Sequence, residues 1–295
     1  MSLEPIPEMM RHARSRQYAI GYFESWNIDS LYGVIDAAEQ MKSPVIIGFN
    51  GEFLSRAGRI ETERLALYGA LGRAAAASVN VPCGFIFNEC AQDEWTRNAI
   101  SLGFNLVMPA DPGAARTDYT ERVSAIARLA HANSVAVEAE IGELPSGVLG
   151  EEYRVGSETS VEDAKAFVAE TGIDLLAVSV GNVHISLNGS HRLDFARLAE
   201  INAAVDVPLV LHGGTGITPD HLARAISLGV TKVNYGTCIK QRYLEAVRSA
   251  INREEPNPHA LIGLGGQQDI LVVGRKAVRE VVLERLPPLN SPGKA

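Results

Sequence analysis

Cysteine is scarce in this sequence. Three residues, Cys83, Cys90 and Cys238, are spread over 295 positions. An odd number of widely separated cysteines is not the pattern of a disulfide framework, which excludes the small disulfide-stapled classes of secreted protein. The sequence therefore favours a reducing compartment.

Positive charge is also in deficit. Lysine and arginine number 27 against 35 aspartates and glutamates, which gives a formal net charge of -8. Without a basic field over the chain, a nucleic-acid partner is not expected. A phosphorylated ligand would have to be bound by local backbone N–H groups and a few side chains.

Long apolar runs are missing as well. No stretch approaches the roughly 20 apolar residues of a membrane span. The first five residues, Met1 to Pro5, lack the basic region and apolar stretch of a signal peptide. We therefore expect no membrane partner and a cytoplasmic location.

Short apolar runs, bounded by Gly, Pro or Asn, alternate along the chain with longer stretches of helical period. This alternation is typical of βα units around a parallel sheet. Eight strands are predicted: Ala19–Tyr22, Val45–Gly48, Cys83–Phe87, Leu106–Met108, Ala136–Glu140, Leu175–Val180, Val207–Leu211 and Lys232–Tyr235. The pattern predicts a (β/α)8 barrel, a fold of about 250 residues. We expect residues 1–295 to form one domain with a C-terminal helical extension.

Helices are predicted between these strands and after the last one. The predicted segments are Ser30–Met41, Glu61–Ser78, Glu94–Leu102, Asp118–Ala132, Val161–Glu170, Phe195–Ala204, Pro219–Leu228, Ile239–Asn252 and Arg275–Arg285.

Polar residues follow several of the predicted strands, where the active site of such a barrel lies. They are Asn88, Glu89, Glu138, Glu140, His184, His212, Asn234 and Thr237. Glutamates and histidines from separate strands that meet at one barrel mouth could bind a divalent metal. A single histidine at a strand end is more often a hydrogen-bonded structural residue, but two histidines with a glutamate strengthen the metal interpretation.

Glycine is concentrated in the loop that follows the seventh predicted strand, where the sequence is His-Gly-Gly-Thr-Gly from His212 to Gly216. The loops after strands 7 and 8 are the usual phosphate site of these barrels, and closely spaced glycines let backbone N–H groups turn toward an anion. The alternative is a tight turn in which glycine serves only backbone geometry. We favour phosphate, bound by Gly213, Gly214, Thr215, Gly216, Asn234, Gly236 and Thr237.

Three segments carry a family resemblance: Pro208–Gly216, Val137–Gly142 and Lys232–Asn234. They resemble the class II, metal-dependent ketose-bisphosphate aldolases, which include fructose- and tagatose-bisphosphate aldolases, and the resemblance covers most of the chain. It implies a barrel in which zinc polarises the carbonyl of dihydroxyacetone phosphate and stabilises the enediolate formed in reversible aldol cleavage.

The family's three zinc-binding histidines fall at Glu89, His184 and His212, and Glu140 is kept beside them. The resemblance thus implies a divalent metal, zinc, bound by these four residues. Glu89 in place of histidine leaves three alternatives: a set of two histidines and one carboxylate, a different metal, or no metal. The family's proton-transferring aspartate falls at Asn88, whose amide can orient a hydroxyl but cannot act as an acid.

Further departures lie on the side of the site that meets the aldehyde. The family's polar cluster after strand 1 corresponds to Phe23–Asn27, its serine after strand 2 falls near Asn50, and its aspartate after strand 8 falls at Gly236. Its loop with an acidic proton-transfer residue spans 143–153, where the catalytic match is Glu151 or Glu152. The ketose-phosphate half of the site is therefore kept, and the aldehyde half is changed.

These residues predict a metal-dependent carbon–carbon lyase. Its substrate would be a phosphorylated ketose or keto acid whose distal half differs from fructose 1,6-bisphosphate, and we expect a homo-oligomer, a dimer or tetramer. One alternative is an isomerase or epimerase that uses the same enediolate chemistry without bond cleavage. Another is a non-catalytic phosphosugar-binding relative that keeps the glycine loops and loses the metal.

Overall fold

The computed structural model describes residues 3–111, 113–142, 157–183, 192–252 and 255–295. Within them, eight parallel strands close into a barrel in chain order. The strands are β1 Ile20–Ser25, β2 Val45–Asn50, β3 Cys83–Cys90, β4 Leu106–Pro109, β5 Ala136–Ile141, β6 Leu175–Val178, β7 Leu209–Leu211 and β8 Val230–Tyr235. Each overlaps one predicted strand, so the predicted barrel is confirmed.

Helices surround the barrel and follow its last strand. They are α1 Ile6–Ser15, α2 Ile28–Met41, α3 Gly51–Ser55, α4 Leu65–Ser78, α5 Asp93–Ser101, α6 Arg116–His131, α7 Val161–Thr171, α8 Phe195–Ala204, α9 Pro219–Ser227, α10 Thr237–Ile251, α11 Pro258–Leu261 and α12 Ile270–Arg285. Over the described ranges, none of these helices has both the length and the apolar composition that a bilayer crossing requires.

The strands bury both faces, because a barrel with an outer layer of helices leaves neither face in water. Outward-facing residues such as Phe85 and Val233 pack under the helices. Inward-facing residues such as Ile46 and Val210 form a second cluster inside the barrel. Side chains alternate between the two faces along each strand. The inward-facing residues at the C-terminal ends of the strands therefore line the mouth of the barrel.

Helix α1 lies before the first predicted strand and was not predicted. Its apolar residues Ile6, Met9, Met10 and Ala13 are buried in the same cluster as the inward-facing strand residues. Burying a side chain of this size contributes about 1.5–3 kcal/mol. Helix α1 therefore packs against the apolar part of the barrel interior.

The C-terminal extension predicted from the sequence is α11 and α12, and α12 packs closely on α2. A Cβ at Gly33 of α2 would lie 2.7 Å from the carbonyl oxygen of Arg275. Arg275 also forms a two-pronged ion pair with Asp36, with N–O distances of 2.5 and 2.7 Å. Glycine at this position therefore allows the backbone approach that joins the extension to the barrel.

Several predicted boundaries differ from the structure by a few residues, as at β7, β6 and α4. Strand β7 begins at Leu209, because Pro208 has no N–H to donate to the ladder. Strand β6 ends at Val178, and the carbonyls of Ser179 and Val180 accept from loop residues instead. Helix α4 begins at Leu65, and in the loop before it Arg59 donates to the backbone oxygens of Phe53 and Glu61.

Candidate active site

Buried polar side chains lie together at the C-terminal end of the barrel interior. Glu138 of β5 and Lys232 of β8 have no exposed surface, and His212, which follows β7, is 1% exposed. Asn234 lies two residues after Lys232 on the same face of β8. Buried polar groups of this kind are stable only when they are paired with one another.

These side chains form one hydrogen-bonded chain. Lys232 Nζ lies 2.7 Å from Glu138 Oε2 and donates to Asn234 Oδ1 at 2.6 Å. Glu138 Oε1 lies 3.0 Å from His212 Nε2. Burial alone would raise the pKa of Glu138, but the charge of Lys232 and the hydrogen bond from His212 lower it. An ionised Glu138 accepts a hydrogen bond from Nε2–H, which leaves Nδ1 as the nitrogen of His212 that meets other groups.

Two further carboxylates meet His212 at that nitrogen. Nδ1 lies 3.1 Å from Glu89 Oε1 and 3.2 Å from Glu140 Oε2. Burial would lower the pKa of His212, but the hydrogen bonds with Glu138 and Glu89 and the charge of Glu140 raise it to about 10. Three carboxylates around one imidazole favour a positive charge at this place.

Glu89 reaches the site through an irregularity in β3. Strict alternation would turn Asn88 inward and Glu89 outward. The register between β3 and β4 shifts between Phe87 and Cys90, and Glu89 has a left-handed φ of 52°. Its side chain thereby points into the barrel mouth, where Asn50 Nδ2 donates to Glu89 Oε2 at 2.8 Å. A non-glycine residue in this conformation costs about 1–3 kcal/mol and is typical of functional sites.

The backbone of His212 is fixed from the neighbouring strand end. The side-chain amide of Asn182 donates to the carbonyl oxygens of His212 at 3.2 Å and of Val178 at 3.3 Å, and its own oxygen accepts from the Val180 N–H. Asn182 has no exposed surface. It therefore joins the ends of β6 and β7 just below the imidazole.

The structure brings together three of the four predicted metal ligands: Glu89, Glu140 and His212. The fourth, His184, lies outside the described residues, as do the predicted catalytic residues Glu151 and Glu152. Imidazole nitrogen and carboxylate oxygen are donors that suit zinc and related divalent metals. Among the described residues, no three His, Cys, Asp or Glu side chains are spaced to hold a metal ion. Glu89 and Glu140 instead both contact Nδ1 of His212. The donor types fit a divalent metal.

Among the described residues, Tyr22 Oη, Asn88 Oδ1 and Asn234 Nδ2 are buried near this chain with neither a hydrogen-bond partner nor an ion-pair partner. Tyr22 and Asn234 are register partners on β1 and β8, and Lys232 Nζ lies 5.2 Å from the centre of the Tyr22 ring. Unsatisfied buried polar atoms are rare in folded proteins. Their concentration here indicates room for a polar ligand.

The predicted phosphate loops lie side by side after β7 and β8. Gly213 has a left-handed φ of 69° and precedes a short 3₁₀ turn, Gly214–Gly216, which includes Thr215. Gly236 precedes Thr237, the first residue of α10, and no side chain caps this helix. Among the described residues the N–H groups of Thr237 and Cys238 in this first turn have no capping side chain, an arrangement that suits an anion.

Gly214 also has a packing role, which is the alternative interpretation of this loop. A Cβ at Gly214 would lie 2.7 Å from both the Tyr235 ring and Val233 Cγ1. Glycine is therefore required at this position by contact with β8, whatever the loop binds.

Residues 4–294 match the family model described as fructose-bisphosphate aldolase, class II. The chain belongs to this family. It is thus an aldolase-type lyase, and the family resemblance noted in its sequence is confirmed.

Relatives of this aldolase differ in their named substrates. The chain is 33% identical to fructose-bisphosphate aldolase of Geobacillus stearothermophilus, over 100% of this chain and 99% of the relative. It is 30% identical to 6-phospho-5-dehydro-2-deoxy-D-gluconate aldolase of Bacillus licheniformis, over 100% and 97%. The crystal structure of the YdjI aldolase from Escherichia coli K12 superposes with a TM-score of 0.83 at 31% identity, covering 99% of each chain. Identity at this level does not select a substrate.

Two residues in the site of this aldolase, Tyr22 and Lys232, were not predicted from the sequence to belong to it. A third, Glu138, was predicted to lie there but was given no role. The partnership of Lys232 with Glu138 was not foreseen either. A lysine inside an otherwise apolar strand is a signal that could have found the pair, since a buried lysine needs an anionic partner.

Proposed function

We propose that this aldolase cleaves a phosphorylated ketose reversibly with the help of a divalent metal, zinc by family resemblance. The proposed ligands are His212 through Nδ1, Glu89, Glu140 and His184. The observation that carries the proposal is the geometry of His212, whose Nε2 lies against Glu138 while Nδ1 faces two carboxylates. When bound, the metal would polarise the ketone and stabilise the negative charge that develops on the substrate oxygens.

Residues around the proposed ligands orient them. Glu138 accepts from His212 Nε2 and so fixes the ring and its tautomer, a role that carboxylates commonly have beside metal-binding histidines. Lys232 keeps Glu138 ionised in a buried position. Asn182 fixes the backbone of His212. The imidazole is therefore presented in one orientation before any ligand arrives.

The donor half of the substrate would bind beside these residues. The 3₁₀ turn after β7 and the first turn of α10 at Gly236 and Thr237 supply N–H groups for its phosphate. Asn234 Nδ2, which is buried without a partner among the described residues, would donate to a substrate oxygen between the phosphate and His212.

The acceptor half of the substrate would meet Asn88. Its Oδ1 atom is buried with no hydrogen-bond partner from the described part of the chain. The atom can accept from a substrate hydroxyl, but the amide cannot deliver a proton as an acid. Proton transfer would then fall to Glu151 or Glu152. We infer little or no cleavage of fructose 1,6-bisphosphate, together with proton exchange at the C–H of bound dihydroxyacetone phosphate.

Metal content tests the proposed ligand set. Wild-type protein and His212→Ala are prepared in the same buffers, and bound metal is measured by mass spectrometry. His131→Ala, which removes an exposed histidine paired with Asp174, is the matched control. We expect about one metal per chain in wild type and in the control, and none in His212→Ala. Metal absent from carefully prepared wild type, or unchanged in His212→Ala, would show the assignment to be wrong.

Solvent exchange tests the chemistry. Deuterium incorporation into dihydroxyacetone phosphate is followed by NMR in the metal-loaded enzyme, and fructose 1,6-bisphosphate cleavage is assayed in parallel. No exchange contradicts the proposed activity, and rapid cleavage contradicts the inferred change of substrate. Exchange with interconversion of ketose phosphates and no carbon–carbon bond formation would favour an isomerase, the alternative that loss of the acid at Asn88 supports. That the protein forms a homo-oligomer, and that it is located in the cytoplasm, remain predictions.

A further inference from the structure

A second cavity adjoins the site at the mouth of β1 and β2. We call it the β1–β2 pocket; its volume is about 290 Å³, and it is lined by Glu24, Ser25, Trp26, Phe49, Asn50, Phe53, Leu54, Arg59, Glu63, Tyr68 and Lys240. This volume is near the lower limit of about 300 Å³ for small-molecule sites. Asn50 belongs to the pocket and donates to Glu89, so the pocket opens directly beside the proposed metal ligands.

Each cation that lines the described wall of the pocket has a carboxylate partner from the same wall. Lys240 Nζ lies 2.5 Å from Glu24 Oε1. Arg59 pairs with Glu63 and also donates to the backbone oxygens of Phe53 and Glu61. The two cations and two carboxylates balance in formal charge. A phosphate, which bears about two negative charges near neutral pH, would have to compete with Glu24 or Glu63 for its cation.

Aromatic rings form the apolar part of the pocket wall and are fixed by their neighbours. Phe49 and Tyr68 meet edge to face at 5.0 Å, and Trp26 meets Tyr243 in the same way at 5.1 Å. Lys240 Nζ lies 4.1 Å from the centre of the Phe53 ring, and the Tyr68 hydroxyl donates to Glu63 at 2.8 Å. The wall of the pocket thus combines aromatic ring faces with hydrogen-bond donors and acceptors that are paired with one another.

A polyhydroxylated chain matches this wall. A hydroxyl both donates and accepts, so one hydroxyl can bond to an ammonium and a carboxylate that remain paired with each other. The C–H groups of such a chain can pack on the aromatic faces, which supply apolar contact area. An anionic end group would use only the donors and would be repelled by the acceptors.

We propose that the β1–β2 pocket receives the aldehyde half of the substrate, and that this aldehyde bears an uncharged, polyhydroxylated chain rather than a phosphate or a carboxylate. The inference rests on the proposed function, because it assigns the second substrate of the same carbon–carbon bond. It also specifies the change on the aldehyde side, where the pocket exposes no cation that lacks a carboxylate partner among its described residues.

The test measures carbon–carbon bond formation between dihydroxyacetone phosphate and a panel of aldehydes. The panel contains uncharged aldoses of three to five carbons, glyceraldehyde 3-phosphate, and an aldehyde that ends in a carboxylate. For wild type we expect kcat/KM for the best uncharged aldose to exceed that for each anionic aldehyde at least about tenfold. A preference for either anionic aldehyde would overturn the proposal.

A charge variant makes the test specific to the pocket. Glu24→Gln keeps the size of the side chain and frees Lys240 from its carboxylate, so kcat/KM for anionic aldehydes should rise relative to uncharged ones by about tenfold. Glu284→Gln removes an exposed carboxylate paired with Arg242 on the outer helices and should leave the ratio unchanged. An unchanged ratio in Glu24→Gln would contradict the role of the pair.

Deuterium exchange into dihydroxyacetone phosphate without aldehyde separates the two proposals. If exchange is absent, the proposed function itself fails. If exchange occurs but no uncharged aldose is accepted, only the assignment of the β1–β2 pocket fails.

Discussion

Glu24 of β1 occupies the space that a side chain at Gly236, after β8, would fill. A Cβ at Gly236 would lie 2.5 Å from Glu24 Oε2. The family resemblance puts an aspartate at the position of Gly236, and on that match the carboxylate near this position comes from β1 instead. Glu24 bonds Lys240 from there, which couples the β1–β2 pocket to the first turn of α10.

A double-mutant cycle tests this exchange of position. Gly236→Asp alone should lower the free energy of unfolding by about 1–3 kcal/mol, because it crowds a second carboxylate against Glu24. Adding Glu24→Ala should relieve the crowding, with an interaction energy of about 0.5–3 kcal/mol measured by urea denaturation. Gly236→Asp combined with Glu284→Ala, a distant change, should be additive. Additivity in both pairs would show that Glu24 and Gly236 do not share the space.

Removal of the buried partner of Glu138 should be costly. Lys232→Met keeps the side-chain length but leaves a carboxylate inside the barrel with less compensation, so we expect a loss of about 3–5 kcal/mol in unfolding free energy. The combination Lys232→Met with Glu138→Gln removes the charge as well and should cost less than the sum of the single changes. Urea denaturation measures both.

An exposed pair provides the comparison for this prediction. Arg242→Met breaks the surface contact with Glu284 and should cost less than about 1 kcal/mol. If Lys232→Met costs no more than Arg242→Met, the buried pair does not have the stabilising role assigned to it.

The barrel could be predicted from the sequence because its strands are short apolar runs with helical segments between them. The polar residues after those runs also predicted the location of the site, and Glu89 and Glu140 both lie within contact distance of His212. Parallel strands place their C-terminal ends at the same edge, so the approach of Glu140 and His212 follows from topology.

The remaining features depend on contacts that no local pattern shows. Glu89 points inward only because β3 has an irregular register and a left-handed residue at that position, and simple alternation predicts the opposite. The pairing of Glu24 with Lys240 joins residues 216 positions apart. Helix α1 mixes apolar and charged residues over ten positions, and it is packing against the barrel interior that stabilises it.

Asp269, the N-cap residue of α12, lies away from the site. Its lowered pKa leads us to expect that the stability of the fold depends on pH. Burial would raise its pKa, but the N–H groups of Gly265, Leu271 and Gly263 lower it below the usual 3.8. A carboxyl with a lowered folded-state pKa stabilises the fold above pH 3.8, and this contribution is lost as pH falls through the lower folded value. Asp269→Asn should therefore cost about 1 kcal/mol near neutral pH.

The pH series distinguishes the charge from the shape of this side chain. The difference in unfolding free energy between wild type and Asp269→Asn, measured with urea, should be constant from pH 7 to about pH 5 and should narrow below the unfolded pKa of 3.8. A difference that does not change with pH would assign the effect to hydrogen-bond geometry alone.

The two loops proposed to bind phosphate should respond differently to substitution. Gly214→Ala places a methyl group against Tyr235 and Val233, so it should lower the free energy of unfolding by about 1–3 kcal/mol and weaken the binding of all ligands together.

Thr237→Val keeps the shape of the first residue of α10 and removes only its hydroxyl. If this hydroxyl bonds the phosphate, affinity for dihydroxyacetone phosphate should fall about tenfold, which is one hydrogen bond of roughly 1.4 kcal/mol. Dihydroxyacetone without phosphate should bind both forms equally in calorimetry or in competition for solvent exchange. Equal losses for the two ligands in Thr237→Val would show that the hydroxyl supports the helix end rather than the anion, and the phosphate would then have to be bound by backbone N–H groups alone.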